Sequence, residues 1–207
     1  MQKPASCDAP AGTSEKLEAL VREALRSGVT AAAVVPAGEI RVDPQLAGMC
    51  REPRCEAYGQ SMSCPPHVSG PDGFRKRLER FSRAVFFKID VPSELLFSSE
   101  RREVFQLLHE LAAGIEHQAV AMGFPDARAY AGGSCKQIFC HDRAECRVVA
   151  GRGPCRNPQS ARPSMSGFGI DVAGLVRAAG WQERLATRED TPPSARMTPV
   201  YGLVLVY

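Results

Sequence analysis

The sequence lacks any long hydrophobic run. Its longest nearly uncharged apolar stretch, roughly residues 29–37, is far shorter than the about 20 residues that a membrane-spanning helix needs. The first 16 residues, MQKPASCDAPAGTSEK, also contain no apolar segment that could form the core of a signal peptide. We therefore expect a cytoplasmic protein that does not bind a membrane.

A strong excess of one charge is also missing. The chain has 26 basic and 23 acidic residues, a net charge of +3, which is too weak for a general nucleic-acid binder. No Walker loop or G-x-G-x-x-G fingerprint is present, and no cysteines have the C-x3-C-x2-C spacing of radical S-adenosylmethionine enzymes. The sequence therefore excludes nucleic acid as the expected partner and names no cosubstrate.

The composition is otherwise that of an ordinary globular protein. Apolar residues make up 44% and charged residues 24% of 207 residues, which excludes a disordered chain and is enough for one compact domain. We predict a flexible lead-in at residues 1–12 and a single domain at residues 13–207.

Hydrophobic periodicity predicts a mixture of helices and about five strands. Helices are expected over residues 14–28, from about 72, over 99–122 and over 171–180, and strands over 29–35, 84–91, 127–131, 181–187 and 200–207, with 39–42 as a further sheet segment and 191–199 as a proline-rich loop. In the longest helix the buried stripe is predicted to be Val104, Leu107, Leu108, Leu111 and Ile115, with His109 and His117 at the surface. The predicted fold class is α/β or α+β: a single mixed sheet with flanking helices and two irregular cysteine-rich loop insertions.

Eight cysteines are the unusual feature of the composition, and seven of them fall into two groups. The first is Cys50-x4-Cys55-x8-Cys64 followed by Pro65-Pro66, in segment 50–66. The second is Cys135-x4-Cys140-x5-Cys146-x8-Cys155, in segment 132–165. In a reducing compartment clustered thiols are more often metal ligands or redox centres than disulfides. Structural zinc sites usually have two close C-x2-4-C pairs, and the second close pair that would complete such a site is missing in both groups, whereas a 4Fe-4S cluster accepts looser loops with nearby Gly and Pro.

Positive charge is concentrated around the second group. Between Cys135 and Met165 the only acidic residues are Asp142 and Glu145, against six cations: Lys136, Arg143, Arg147, Arg152, Arg156 and Arg162. Cations stabilise deprotonated thiols, so they suit an anionic thiolate cluster. A solvated face of the loop is the alternative interpretation.

Several motifs resemble those of a prokaryotic family of predicted metal-binding proteins without an assigned activity. They are Cys-x8-Cys-Pro-Pro, GGSC at 132–135, CRNP at 155–158, ARPSM at 161–165, GIDV at 169–172 and the terminal GLVLV. The resemblance begins near residue 30, and it implies metal binding by the seven clustered cysteines. In that family the second group usually has short C-x2-C steps, which are wider here, and an aromatic residue commonly stands near the position of Met62.

The number of ligands distinguishes the two groups. Four cysteines can complete a 4Fe-4S cluster, whereas three need a fourth ligand, which could be Cys7, His67, a carboxylate or no protein group. His141 either donates a hydrogen bond to a cluster or is a solvated loop residue. Residues 162–165 either supply donors to a cluster or form a structural turn, and Trp181 is expected in the core.

Three functions follow as hypotheses. The first is an iron-sulfur protein with two 4Fe-4S clusters that transfers electrons to a redox partner protein, as an accessory to an anaerobic enzyme. The second is an oxidoreductase or desulfurase that uses an open iron at the three-cysteine site to bind and reduce or desulfurate a small molecule. The third is a zinc-stabilised interaction module. Catalytic residues, substrate and oligomeric state are not predicted.

Overall fold

The computed structural model of the protein describes residues 11–181 and 196–207. Its helices are α1 Ala11–Arg26, α2 Pro44–Gly48, α3 Gly70–Leu78, α4 Arg101–Ala121, α5 Cys135–Phe139 and α6 Val172–Ala178, and its strands are β1 Ala31–Pro36, β2 Arg83–Pro92, β3 Arg128–Tyr130 and β4 Met197–Leu205. Within these ranges no helix is both long enough and apolar enough to cross a membrane.

The four strands form one open sheet in the order β1-β2-β4-β3, with every neighbouring pair antiparallel. The central pair, β2 and β4, is in register from Ala84 opposite Leu205 to Pro92 opposite Met197. Gly202 lies opposite Phe87, and a Cβ added there would come within 2.2 Å of the Phe87 ring. Because Gly202 has no side chain, the Phe87 ring can occupy the space directly over it.

Helices cover both faces of the sheet because the two central strands send alternate side chains to opposite sides. Val85, Phe87 and Ile89 of β2 pack in the core that includes residues of α1 and α4. Phe86, between them, packs in a second core with Phe74 of α3 and residues of α6. The predicted single sheet with flanking helices is thus confirmed.

Most of the predicted elements are present, with shifted ends. Helix α1 begins at Ala11 instead of Ser14, and Asp171 caps α6 by accepting a hydrogen bond from the Gly174 N–H. The sheet segment predicted at 39–42 is wrong: a 3-10 turn occupies Ala37–Glu39, and Val42 forms only an isolated bridge with Ile170. Apart from Trp181, which stacks on Phe86, the strand predicted at 181–187 lies outside the described residues.

The burial of α4 differs from the predicted stripe at two positions. Leu107 is 47% exposed, whereas His109, predicted at the surface, is fully buried. Periodicity identifies the face of α4 that packs on the sheet. The face containing His109 is covered instead by residues of the second cysteine-rich segment, whose path the periodicity does not describe.

Both cysteine-rich segments are irregular loops anchored to this scaffold. The first connects α2 to α3, and the second connects β3 to a 3-10 turn at Met165–Phe168. The ends of the second loop meet in a parallel bridge between Ala131 and Ser164. In addition, the Ser164 N–H donates to the Ser63 carbonyl at 3.0 Å, so the two loops are attached to each other.

Candidate metal centre

The four cysteines of the second loop line one cavity. Cys135 is the first residue of α5 and Cys140 directly follows this helix, while Cys146 and Cys155 come from the turns beyond it. The cavity is small, with a volume of about 20 Å³, and none of the four side chains is fully exposed. The fold therefore brings together all four cysteines that the sequence groups.

Each of the four sulfurs has at least one hydrogen-bond donor. Ser63 Oγ donates to Cys135 Sγ at 3.1 Å, and the two donors of Asn157 serve two different cysteines: its backbone N–H lies 3.3 Å from Cys155 Sγ and its Nδ2 lies 3.5 Å from Cys140 Sγ. Donors of this kind stabilise thiolates and orient metal ligands. Asn157 thus explains the CRNP motif, in which the asparagine follows a cysteine by two residues.

Cys146 has the most favourable surroundings for a thiolate. Burial acts to raise its pKa, but hydrogen bonds from backbone N–H groups of Val149, Met62 and Val148, together with the charge of Arg156, outweigh burial and lower the pKa below its ordinary value. Met62 belongs to the first loop, so one loop helps to stabilise a thiolate of the other.

Cys135 lies in a less polar place. Burial raises its pKa, and the neighbouring Cys155 and Cys64 thiols act in the same direction, against hydrogen bonds from Ser63 and Ser61. A bound metal would oppose this effect by stabilising the Cys135 thiolate.

The six cations of the second loop divide into two sets of three. Arg143, Arg152 and Arg162 pair with Asp142, Glu145 and Glu116, respectively. Lys136, Arg147 and Arg156 line the cysteine cavity, and none has a carboxylate partner among the described residues. Three of the six cations, Lys136, Arg147 and Arg156, are therefore placed to compensate the negative charge of bound thiolates.

The three cysteines of the first loop are also neighbours, and they differ in solvent exposure. Cys64 is buried, Cys50 is half-buried and Cys55 is exposed. Burial raises the pKa of Cys50, and the thiols of Cys55 and Cys64 raise it further, as expected for groups that would repel one another as thiolates.

A buried serine hydroxyl lies between the two cysteine groups. Ser63 Oγ is 3.1 Å from Cys135 Sγ and 3.8 Å from Cys64 Sγ. Ser61 Oγ lies 3.0 Å from Ser63 Oγ and 3.4 Å from Ser134 Oγ, and all three serines are buried. The two groups therefore approach each other at Cys64 and Cys135, through a hydrogen-bonded polar contact that no sequence motif predicts.

His109 and Arg162 hold the second loop against α4. The Arg162 N–H donates to His109 Nδ1 at 3.1 Å, so the ring proton is on Nε2, which donates to the Gly132 carbonyl at 2.9 Å. The buried Arg162 guanidinium pairs with Glu116 at 2.8 Å. Residues 162–165 thus act as a structural anchor, and Arg162 is outside the lining of the cysteine cavity.

The remaining candidate residues take other positions. His67 Nε2 is hydrogen-bonded to the Gly59 carbonyl at 3.2 Å, and the exposed His141 contacts Arg102. Cys7 lies outside the described residues. In the part of the chain that the structure describes, no three His, Cys, Asp or Glu side chains are close enough to hold a single metal ion.

Comparison with known proteins identifies the family of the chain. A family model described as "Predicted metal-binding protein (DUF2284)" matches residues 33–206, which include both cysteine groups. No curated protein and no solved structure matches the chain.

Proposed function

The chain belongs to the DUF2284 family of predicted metal-binding proteins, and we propose that it holds its metal as two iron-sulfur clusters and transfers electrons. The observation that carries this proposal is the cavity shared by four cysteines, each with a hydrogen-bond donor to its sulfur. The ligands we propose are all seven clustered cysteines: Cys50, Cys55 and Cys64 for one cluster, and Cys135, Cys140, Cys146 and Cys155 for the other.

The donor set of the second loop fits a 4Fe-4S cluster. Four thiolates complete its ligation, and N–H donors to the sulfurs with nearby cations offset its negative charge. The four cysteines line one cavity, and among the described residues no three ligating side chains form a group that could hold a single metal ion such as a tetrahedral zinc ion. These features favour iron and sulfide over the zinc-stabilised module.

The contact between the two groups supports electron transfer. When bound, a 4Fe-4S cluster accepts and releases single electrons. In the chain itself, Ser63 contacts sulfurs of both groups, and a backbone hydrogen bond from the Ser164 N–H to the Ser63 carbonyl joins the two loops. We expect the two centres to exchange electrons within the protein and to deliver them to a redox partner protein of an anaerobic enzyme, in the cytoplasm.

A second candidate function, that of an oxidoreductase or desulfurase, is favoured by the first loop. It offers three cysteines, its Cys55 is exposed, and His67 Nε2 is engaged with the Gly59 carbonyl. An incomplete ligand set would leave one iron able to bind a small molecule. Recording the EPR spectrum of the reduced protein during addition of sulfide, cyanide or small thiols tests this function, and an unchanged spectrum removes it.

The deciding experiment is an analysis of iron, sulfide and zinc in anaerobically purified protein. Two 4Fe-4S clusters predict about eight irons and about eight sulfides per chain, in a brown protein. A colourless protein that contains zinc and no iron would contradict both iron-sulfur functions.

Single serine variants separate the two centres. Cys140→Ser and Cys55→Ser should each remove about four irons, because each affects a different cluster. Cys7→Ser tests whether Cys7 is the fourth ligand of the first cluster, and we expect it to retain the full iron content. If Cys7→Ser loses about four irons instead, Cys7 is the fourth ligand of the first cluster, and the open-iron function is rejected.

A further inference from the structure

A second cavity of about 430 Å³ lies beside the cysteine cavity, between α4 and the two loops. Arg101, Arg102 and Phe105 from the first turns of α4 form one side, and Lys136 and His141 from the second loop form the other. Gln60 of the first loop completes it. Its volume is in the range of sites for small molecules.

The charged groups that line this cavity are all cationic. They are Arg101, Arg102 and Lys136, and no carboxylate lines it among the described residues. Neither arginine forms an ion pair with a residue that the structure describes. Three uncompensated cations at one cavity raise the local concentration of anions and can bind an anionic group directly.

The donors of these cations are only partly used. Arg102 Nη1 donates to His141 Nε2 at 2.8 Å, which leaves the other guanidinium N–H groups for a ligand. Lys136 is 8% exposed, and its Nζ donates to the carbonyls of Cys140 and Arg143. Lys136 lines both cavities, so it separates this site from the cysteines and places its charge next to each.

The cavity also has an apolar surface. The Phe105 ring, which carries the Arg101 guanidinium at 5.4 Å, and the buried Ile138 line it. Gly133, with φ +80°, borders the ring, and a Cβ there would lie 3.2 Å from Phe105 atoms. The glycine lets the loop backbone approach the ring closely, and the parts of Phe105 and Ile138 that line the cavity offer an apolar surface to a ligand.

We propose that this cavity binds a small molecule with an anionic carboxylate or phosphate group and a flat apolar body. The arginines bind the anionic group, and Phe105 with Ile138 contacts the apolar body. The site uses no metal, so it goes beyond the proposed electron transfer and can be tested independently of the iron content.

Isothermal titration calorimetry on the anaerobically purified full chain tests the site with three probes: phenyl phosphate, benzoate and inorganic phosphate. We expect saturable binding of phenyl phosphate or benzoate, with inorganic phosphate weaker because it lacks the apolar body. Comparing the first two probes distinguishes a phosphate ligand from a carboxylate ligand. The affinity should fall as salt is added, since charge contributes to binding.

Two substitutions assign the binding to this cavity. Arg102→Gln should weaken binding by about tenfold or more, because it removes a charged donor to the anion. Arg22→Gln, which makes the same charge change at an exposed position on α1, should leave the affinity unchanged. Circular dichroism and iron content of both variants check that the fold and the clusters are retained.

The proposal is overturned if neither phenyl phosphate nor benzoate shows saturable binding. It is also overturned if Arg102→Gln and Arg22→Gln have the same effect, or if inorganic phosphate binds as tightly as phenyl phosphate. None of these results depends on the number of irons that the protein holds.

Discussion

The buried His109 makes the stability of the protein depend on pH in a defined window. Burial lowers the pKa of His109 from 6.5 to about 4, and the nearby Arg162 charge also lowers it, although the hydrogen bond to Gly132 acts in the opposite direction. The ring is fully buried, so solvent does not weaken these effects. The imidazole is therefore neutral in the folded protein at pH values where it is protonated in the unfolded chain.

The sign of the effect follows from proton binding. Between pH 6.5 and about 4 the unfolded chain binds a proton that the folded chain does not, so the free energy of unfolding decreases as the pH falls. With 1.36 kcal/mol per pKa unit, the loss from this one residue is about 2 kcal/mol between pH 7.5 and pH 5. Above pH 6.5 its contribution to stability is fully present.

The measurement is urea unfolding of the anaerobic protein, followed by circular dichroism at several pH values from 7.5 to 5. His109→Gln removes the titrating ring and keeps an amide that can donate toward Gly132 and accept from Arg162. The difference between the unfolding free energies of the wild type and this variant cancels the pH effects that they share, including those of metal loss. That difference should shrink by about 2 kcal/mol over the pH range.

His141→Gln is the matched control, since it makes the same chemical change at an exposed position and leaves His109 in place. It should therefore retain the contribution of His109 to the pH dependence. If the His109→Gln and wild-type stabilities stay parallel from pH 7.5 to 5, the assignment of a buried neutral imidazole is refuted.

Three further predictions concern the hydrogen-bond donors to the cysteine sulfurs and the buried ion pair that holds the second loop. Ser63→Ala should lower the reduction potential of the nearer cluster by ~40 mV in a redox titration, because one hydrogen bond of about 1 kcal/mol to a thiolate is lost, whereas Ser69→Ala should not. Glu116→Ala should destabilise the protein by about 3 kcal/mol in urea unfolding by leaving a buried guanidinium unpaired, while Glu18→Ala, at an exposed pair, should change stability by less than about 1 kcal/mol. Asn157→Ala should speed iron loss to a chelator several-fold, because it removes the side-chain hydrogen bond to Cys140 Sγ. An unchanged rate would contradict the role of Asn157 as a hydrogen-bond donor to this sulfur.

The sequence predicted secondary structure well wherever one periodic pattern decided it. The alternating residues of β2 and the stripe of Val104, Leu108 and Leu111 identify surfaces that pack on the sheet. His109 was predicted wrongly because α4 has a second buried face, formed by a loop that begins more than 20 residues later. Periodicity describes one burial surface, and it cannot identify a second one made by an irregular segment.

The candidate metal centre likewise has features that the sequence predicts and features that it does not. The grouping of the cysteines is visible in the chain because residues close in sequence stay close in a loop. The division of the cations is not visible: whether an arginine pairs with Glu116 or lines the cysteine cavity depends on which way the loop turns.

By itself, the sequence determined the helices and strands that periodicity specifies, and the two groups of potential metal ligands, because both depend on short-range order along the chain. Only the tertiary structure decided that Ser63 contacts Cys135, that Asn157 serves two sulfurs, and that the cations of α4 and the second loop share a cavity. Ser63 and Cys135 are 72 residues apart, and their contact exists because the sheet and α4 hold two irregular loops against each other. The chemistry of the centre therefore depends on the packing of those loops.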